Sequence, residues 1–218
     1  MRIDATHTSH IHDEAVREVM GVVMCGGRGS RMGRREKPLV EVLGKPLISY
    51  ALNTMRECNT IKGVDFVTSI YTPLTTKYLN EIGYEPFVAT GAGFLNDLSE
   101  YLSSRQKATY LIVSCDIPTL RPNHVQTVLD MSKKLKGDYI MCVLPYESVR
   151  GLSREPTIIK HGSDEYQPAG LRIFRKKSDG PPDFSTPSYL ELRFRELGVN
   201  INTLEDISIA EGYLKNYV

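Results

Sequence analysis

The chain has no C-x-x-C pair, no long apolar run and no excess of one charge, and each shortage removes a class of protein. Its longest uninterrupted apolar stretch, Tyr139 to Leu144, is six residues ending at Pro145. A helix that crosses a bilayer needs roughly 20, so no membrane span is expected. The first twenty residues lack the positive start and apolar middle of a secretory leader, so a cytoplasmic chain is expected. Cys25, Cys58, Cys115 and Cys142 are without the paired spacing of a thiolate metal site, and three of them sit in apolar runs. Buried free thiols are the expectation. An excess of one charge is missing too: 27 Lys and Arg face 26 Asp and Glu, for a net +1. That balance, with no repeated interleaving of aromatic and basic residues, argues against a nucleic-acid-binding module.

What is present is a 218-residue chain, 41% hydrophobic and 24% charged. At that length folding buries about 70% of the unfolded surface, so a core needs neither disulfide nor metal. The charge is unevenly placed. Arg28 to Lys37 reads RGSRMGRREK, in which five cations face Glu36 alone, a local +4 that leaves −3 for the rest.

Apolar runs and 3.6-residue periodicities alternate along the chain. Strands are expected at Gly21 to Cys25, Val64 to Ser69, Tyr84 to Ala89, Tyr110 to Ser114 and Asp138 to Leu144. Helices are expected from Pro46 to Cys58, from Thr72-Pro73 to Ile82, from Gly93 to Ser103 and from Pro122 onward. Hairpin material follows over Pro156 to Arg175, then a loop over Ser178 to Pro187, a strand near Gly198 to Ile201 and a helix from Thr203 to Asn216. Such alternation implies an α/β fold, a parallel sheet covered on both faces, in one domain over 19–218. Residues 1–18 read as an appended segment whose Ile11, Ala15 and Val19 could share one face of a short helix. Packing on the domain or on a second copy of the chain, as a homodimer, is its expected role. His7, His10 and His12 lie in that segment without a fold around them.

The chemistry points to the loop after the first strand, Met24-Cys25-Gly26-Gly27-Arg28-Gly29-Ser30-Arg31-Met32-Gly33, followed by Glu36-Lys37-Pro38. Glycines there let backbone N–H groups turn toward phosphate oxygens. The G-x-x-x-x-G-K-[ST] phosphate loop is excluded, because no glycine in this stretch precedes Lys and Ser or Thr. The dinucleotide G-x-G-x-x-G also fails: after Gly27 and Gly29 the third position is Met32, with Gly33 one residue late. Asp116, in Ser114-Cys115-Asp116-Ile117-Pro118, ends a buried strand, where open α/β sheets place ligands. A lone carboxylate there suits Mg²⁺, which takes one or two carboxylates plus phosphate oxygens. An N-cap for the following turn is the other reading.

The loop resembles the G-G-x-G-[ST]-R-M-G…K-P element of the nucleotidyltransferases related to molybdenum-cofactor and sugar-phosphate enzymes. That resemblance implies a Rossmann-like, GT-A-like three-layer sandwich with a mostly parallel sheet. It implies that Met24, Cys25, Gly26, Gly27, Gly29 and Ser30 wrap a nucleoside triphosphate, with Arg31 and Lys37 as the cationic clamp. Cys25 departs from the usual alanine. Asp116 matches the family's metal-binding aspartate, and Asn200-Ile201-Asn202-Thr203-Leu204-Glu205-Asp206 is similar to its closing motif. There Asn200 and Asn202 either approach metal or phosphate or form a turn, while Thr203 and Asp206 cap the last helix.

Two segments resemble the archaeal-type GTP:adenosylcobinamide-phosphate guanylyltransferases: Thr90-Gly91-Ala92-Gly93-Phe94-Leu95-Asn96-Asp97-Leu98 and Pro168-Ala169-Gly170-Leu171. The resemblance implies GTP and adenosylcobinamide phosphate as partners, Mg²⁺ as cofactor, and adenosylcobinamide-GDP and pyrophosphate as products. Guanine contacts are expected from backbone and polar groups around Thr68, Ser69, Thr90 and Gly91, and Asp97 is a further nucleotide-binding candidate. Ala169 and Gly170 either meet the acceptor or ribose, or form a β-bulge. The alternatives are a molybdenum-cofactor or sugar-phosphate nucleotidyltransferase and, from another class, a nucleotide-binding regulatory module without turnover.

Overall fold

A computed structural model describes residues 18–29, 32–33 and 35–216. The three histidines of the N-terminal segment, most of its expected helix, and Ser30, Arg31 and Arg34 lie outside the described residues. Val19, the expected end of that helix, instead opens the first strand.

Along the chain come β1 (Val19–Met24), β2 (Glu41–Val42), β3 (Lys45–Pro46), α1 (Leu47–Glu57), β4 (Ile61–Ser69), α2 (Pro73–Glu81), β5 (Phe87–Ala89), α3 (Phe94–Ser103), β6 (Thr109–Ser114) and α4 (Pro122–Ser132). Then follow β7 (Tyr139–Pro145), α5 (Tyr146–Val149), β8 (Ile159–His161), β9 (Asp164–Arg175), β10 (Ser188–Glu191) and α6 (Glu205–Lys215). The main sheet runs β10-β7-β9-β6-β1-β4-β5, with β8 paired to β9.

Neighbours β6, β1, β4 and β5 are parallel, as are β10 and β7. The long β9 runs antiparallel between β6 and β7. This agrees with the mostly parallel sheet expected: β9 is its antiparallel member, reached through the β8–β9 hairpin in the stretch where hairpin material was expected. One terminal expectation is corrected. Residues 195–198 form a 3₁₀ turn with Val199 extended after it, so the strand near Gly198 is absent. The pairing strand is β10, whose four residues include only one buried side chain, Leu190, too short a signal for alternation.

Period-two alternation explains both layers. In β1, Val23 joins one core cluster and Val22 and Met24 the other; in β6, Leu111 and Val113 oppose Tyr110 and Ile112. Helices α1 and α4 cover the first face, and α3 covers the second. A third cluster packs α6 residues Ala210 and Leu214 against Met32, Val40 and Val42, which ties the chain's end to the glycine loop. All four cysteines are buried and unpaired.

Candidate active site

The glycine loop leaves β1 at the carboxyl end of the sheet and is anchored at both ends. The Cys25 N–H donates to the Val67 carbonyl at 2.7 Å, and Ser69 Oγ donates to the Gly26 carbonyl at 2.7 Å. At the far end the Glu36 carboxylate accepts from the Leu74 N–H at 2.8 Å and from the Thr75 N–H at 2.6 Å and its hydroxyl at 2.7 Å. These are open donors at the start of α2, so one side chain both caps a helix and fixes the loop. Sequence reading took Glu36 only as the lone anion of a basic stretch; no local pattern joins it to Thr75, 39 positions away.

That anchoring delivers Lys37 to the end of β6. Its Nζ lies 2.6 Å from Asp116 Oδ2 and 3.1 Å from Asn202 Oδ1, with both charged side chains 17% exposed. Three distant segments therefore converge. The Ile201 N–H donates to the Asp116 carbonyl at 3.1 Å, and the Asp206 carboxylate accepts from the N–H groups of Asn202 and Thr203, both at 2.8 Å, and of Arg154 at 2.7 Å. Asp206 thus organises the closing turn, but Leu204 and not Thr203 is the N-cap of α6 and no side chain caps it, which corrects the cap reading. Asn202 Nδ2 donates to the Glu155 carbonyl at 3.1 Å.

Asp116 Oδ1 and Asn200 Oδ1 are buried without a hydrogen-bond partner. Such atoms are uncommon and are satisfied by a water, an ion or a ligand. Among the described residues no three of His, Cys, Asp and Glu form a metal cage. One carboxylate with amide oxygens nearby nevertheless suits Mg²⁺, which keeps waters and takes the rest of its shell from phosphates.

Below the loop lies a cleft of about 340 Å³. Met24, Cys25, Gly26, Gly27, Lys37, Gly91, Asp97 and Asp116 line it, together with Pro38, Phe94 and Ser114. Asp97, 3% exposed, has Oδ1 buried and unpartnered. Burial pushes its pKa above the ordinary aspartate range, against the opposing hydrogen bonds from the Gly91, Ala92 and Gly93 backbone. Gly29, at φ +57°, shapes the loop above.

Other expected residues stand elsewhere. The Thr68 side chain is buried and accepts from the Thr76 hydroxyl at 2.9 Å. Ser69 holds the loop, and the Thr90 hydroxyl donates to Glu100. None of the three lines the cleft. Ala169 is fully buried, and Gly170 sits where β7 and β9 slip register between Met141 and Val143. A Cβ on Gly170, at φ +70°, would stand 2.0 Å from Ile117 Cδ1, so the bulge reading holds and the glycine lets β9 press on the Asp116 turn. Arg28 stacks 4.3 Å from the Tyr71 ring and donates to its hydroxyl at 2.8 Å.

Comparison with known proteins places this geometry. The family model described as "MobA-like NTP transferase domain" matches residues 21–175. An adenosylcobinamide-phosphate guanylyltransferase of Methanocaldococcus jannaschii is 28% identical over 204 residues, covering 89% of this chain and 96% of that protein. A probable molybdenum cofactor guanylyltransferase of Pyrococcus horikoshii is 26% identical over 200 residues, covering 88% and 98%. Among solved structures, a CMP:2-keto-3-deoxy-manno-octonic acid synthetase complexed with CTP aligns at TM-score 0.65 and 12% identity, covering 92% of this chain and all of that one. A putative glucose-1-phosphate thymidylyltransferase from Bacillus anthracis aligns at TM-score 0.65 and 13% identity, covering 91% and 96%. At those identities the two structures speak for the fold.

Proposed function

The chain belongs to the MobA-like NTP transferase domain family, and from that premise we propose that it transfers GMP from GTP to adenosylcobinamide phosphate, releasing pyrophosphate. The nucleotidyltransferase chemistry follows from the family; the guanine and the acceptor are the parts proposed. The observation that carries the reading is the convergence of Lys37, Asp116 and Asn202 at the mouth of a cleft roofed by the glycine loop. The relative from M. jannaschii, matched over nearly its whole length, supports the acceptor.

An oxygen of the acceptor's phosphate forms the new bond to the α-phosphorus, and the bond from that phosphorus to the bridging oxygen breaks as pyrophosphate leaves. A phosphate monoester has its second pKa near about 6, so at neutral pH the nucleophile is largely dianionic and needs no general base. The protein's tasks are to hold two anions in line and to offset charge on the leaving group. Lys37 is the cation for the second task, and Arg31 is its proposed companion. Asp116, aided by Asn200 or Asn202, is the proposed seat of Mg²⁺, which when bound would supply further charge neutralisation. Lys37 already bonds Asp116 and Asn202, which keeps its ammonium aimed at that place before substrates bind. Asp97 offers a buried carboxylate oxygen to ring N–H and amino donors, which guanine has on one edge and adenine lacks as a pair.

The test is to incubate the protein with each of the four ribonucleoside triphosphates, Mg²⁺ and adenosylcobinamide phosphate, and measure pyrophosphate. GTP-selective release that requires this acceptor is expected; release with another acceptor and not this one would overturn the assignment. The molybdenum cofactor belongs in the same assay, because the P. horikoshii relative matches almost as much of the chain. Asp116→Ala should abolish activity or its Mg²⁺ dependence, and an unchanged Mg²⁺ titration would move the metal elsewhere.

A further inference from the structure

The carboxylate and the amides at the mouth of the cleft belong to separate segments, and a second set of contacts away from the cleft ties those segments together. Asp116 follows β6, while Asn200 and Asn202 stand in the turn before α6. The Ile201 N–H bond to the Asp116 carbonyl, at 3.1 Å, joins the two directly. Behind it, His124 in the first turn of α4, 1% exposed, holds Nε2 2.9 Å from Oε1 of Glu196, which belongs to the 3₁₀ turn over 195–198. These residues are 72 positions apart. The buried Thr119 hydroxyl donates to the Glu196 carbonyl at 2.7 Å, and Gln167 of β9 donates to the Gly198 carbonyl at 3.0 Å.

The backbone settles which way the imidazole donates. The Arg121 N–H donates to His124 Nδ1 at 3.2 Å, so that nitrogen carries no proton and the hydrogen of the neutral ring sits on Nε2, aimed at the Glu196 carboxylate. Burial holds the imidazole's pKa below the ordinary histidine range, against the opposing pull of Glu196 and with Arg121 adding to the lowering. The Phe194 ring lies 4.6 Å away, centroid to centroid, and packs against the imidazole. Both ring nitrogens are therefore committed: one serves the start of α4, which follows the Asp116 turn, and the other serves the turn that leads into Asn200. A bond to an ionised carboxylate is stronger than one between neutral groups, and here its donor is buried.

Mg²⁺ accepts oxygens only near about 2.0–2.1 Å and close to octahedral directions, so donors on two segments must be held apart by a fixed distance. Asp116 Oδ1 and Asn200 Oδ1 have no hydrogen bond to fix them, which leaves their separation to the backbones that carry them. We propose that His124 and Glu196, with Thr119 as a second tie, hold Asp116 and Asn200 at the spacing a divalent cation requires, and so act as positioning residues for the metal. Neither lines the cleft. The inference rests on the Mg²⁺ seat assigned above and deepens it by naming what sets the geometry of that seat.

The test uses Mn²⁺ as the probe, titrated into the full chain with GTP present and acceptor absent, and follows the relaxation of water protons. Glu196→Ala should weaken Mn²⁺ binding by roughly 10- to 100-fold, the range for losing a group that orients a metal ligand. Glu196→Gln keeps an oxygen for the Nε2 proton and should recover most of the affinity. GTP affinity in EDTA should be the same in both variants and in the unmodified chain, since the glycine loop is untouched. A role in folding alone would lower the thermal midpoint and leave Mn²⁺ affinity of the folded protein unchanged, which would overturn the proposal. Asp116→Ala separates the two readings. If it loses Mn²⁺ while Glu196→Ala does not, the seat stands and the positioning role falls; if it binds Mn²⁺ normally, both fall. Should Glu196→Ala not fold, Thr119→Val removes the second tie, and a Mn²⁺ affinity equal to the unmodified chain's would then count against the proposal.

Discussion

Lys37 reaches across 79 positions to Asp116, and both side chains are largely shielded from water, so their 2.6 Å contact is worth more than a surface pair. Replacing Lys37 by Ala should slow the chemical step by about 10²-fold or more, the scale for losing one preorganised stabiliser of transition-state charge. Single-turnover rates measure this, and a wild-type rate would remove Lys37 from the mechanism. Asp97→Ala should lower kcat/KM for GTP by at least about tenfold, since a base left without its polar partner loses binding steeply. Parallel assays with ATP check the cause, because a mere folding defect would lower both nucleotides' turnover alike. Residue types at this scale were legible in the sequence: Lys37, Asp116 and Asp97 were picked out by motif and strand position. The partners of the Thr68, Ser69 and Thr90 hydroxyls were not legible there, because a side chain's partner depends on neighbours that sequence spacing does not reveal.

Between elements, the decisive contact is Glu36 on the first turn of α2. Glu36→Ala should cost about 1 kcal/mol of stability, as lost helix caps do, and should also weaken GTP binding because the loop loses its far anchor. Denaturant midpoints and GTP titrations together test both halves; normal GTP affinity with lowered stability would leave Glu36 as a cap alone. Tyr71 illustrates a second dependence between elements. A Cβ on Gly91, at φ +75°, would stand 2.5 Å from its ring, so the segment before α3 and the end of β4 must close together. Glycine and proline punctuation revealed where α1, α2, α3 and α4 begin, since those residues act through their own backbone angles. The β10 strand was hidden because its pairing with β7 is made across nearly fifty residues and leaves a single buried side chain as its local trace.

Over the whole molecule, a net charge of +1 conceals a basic loop set at the carboxyl end of the sheet. Raising ionic strength from about 0.01 M to about 1 M shortens the screening length from about 30 Å to about 3 Å, and GTP affinity should fall several-fold. Calorimetry across that range tests it; salt-independent binding would make the loop's exposed cations bystanders. No helix among the described residues is long and apolar enough to cross a membrane. By itself the sequence determined the α/β alternation, the glycine-rich motif of the loop and the identity of the charged residues in it, because these are written in local periodicity and in contiguous motifs. Only the tertiary structure decided that β9 would run against its neighbours, that Gly170 would serve a bulge, and that Glu36 would tie the loop to α2. Each of those depends on which strands lie side by side, a choice made by burial of both sheet faces at once and therefore by no single stretch of the chain.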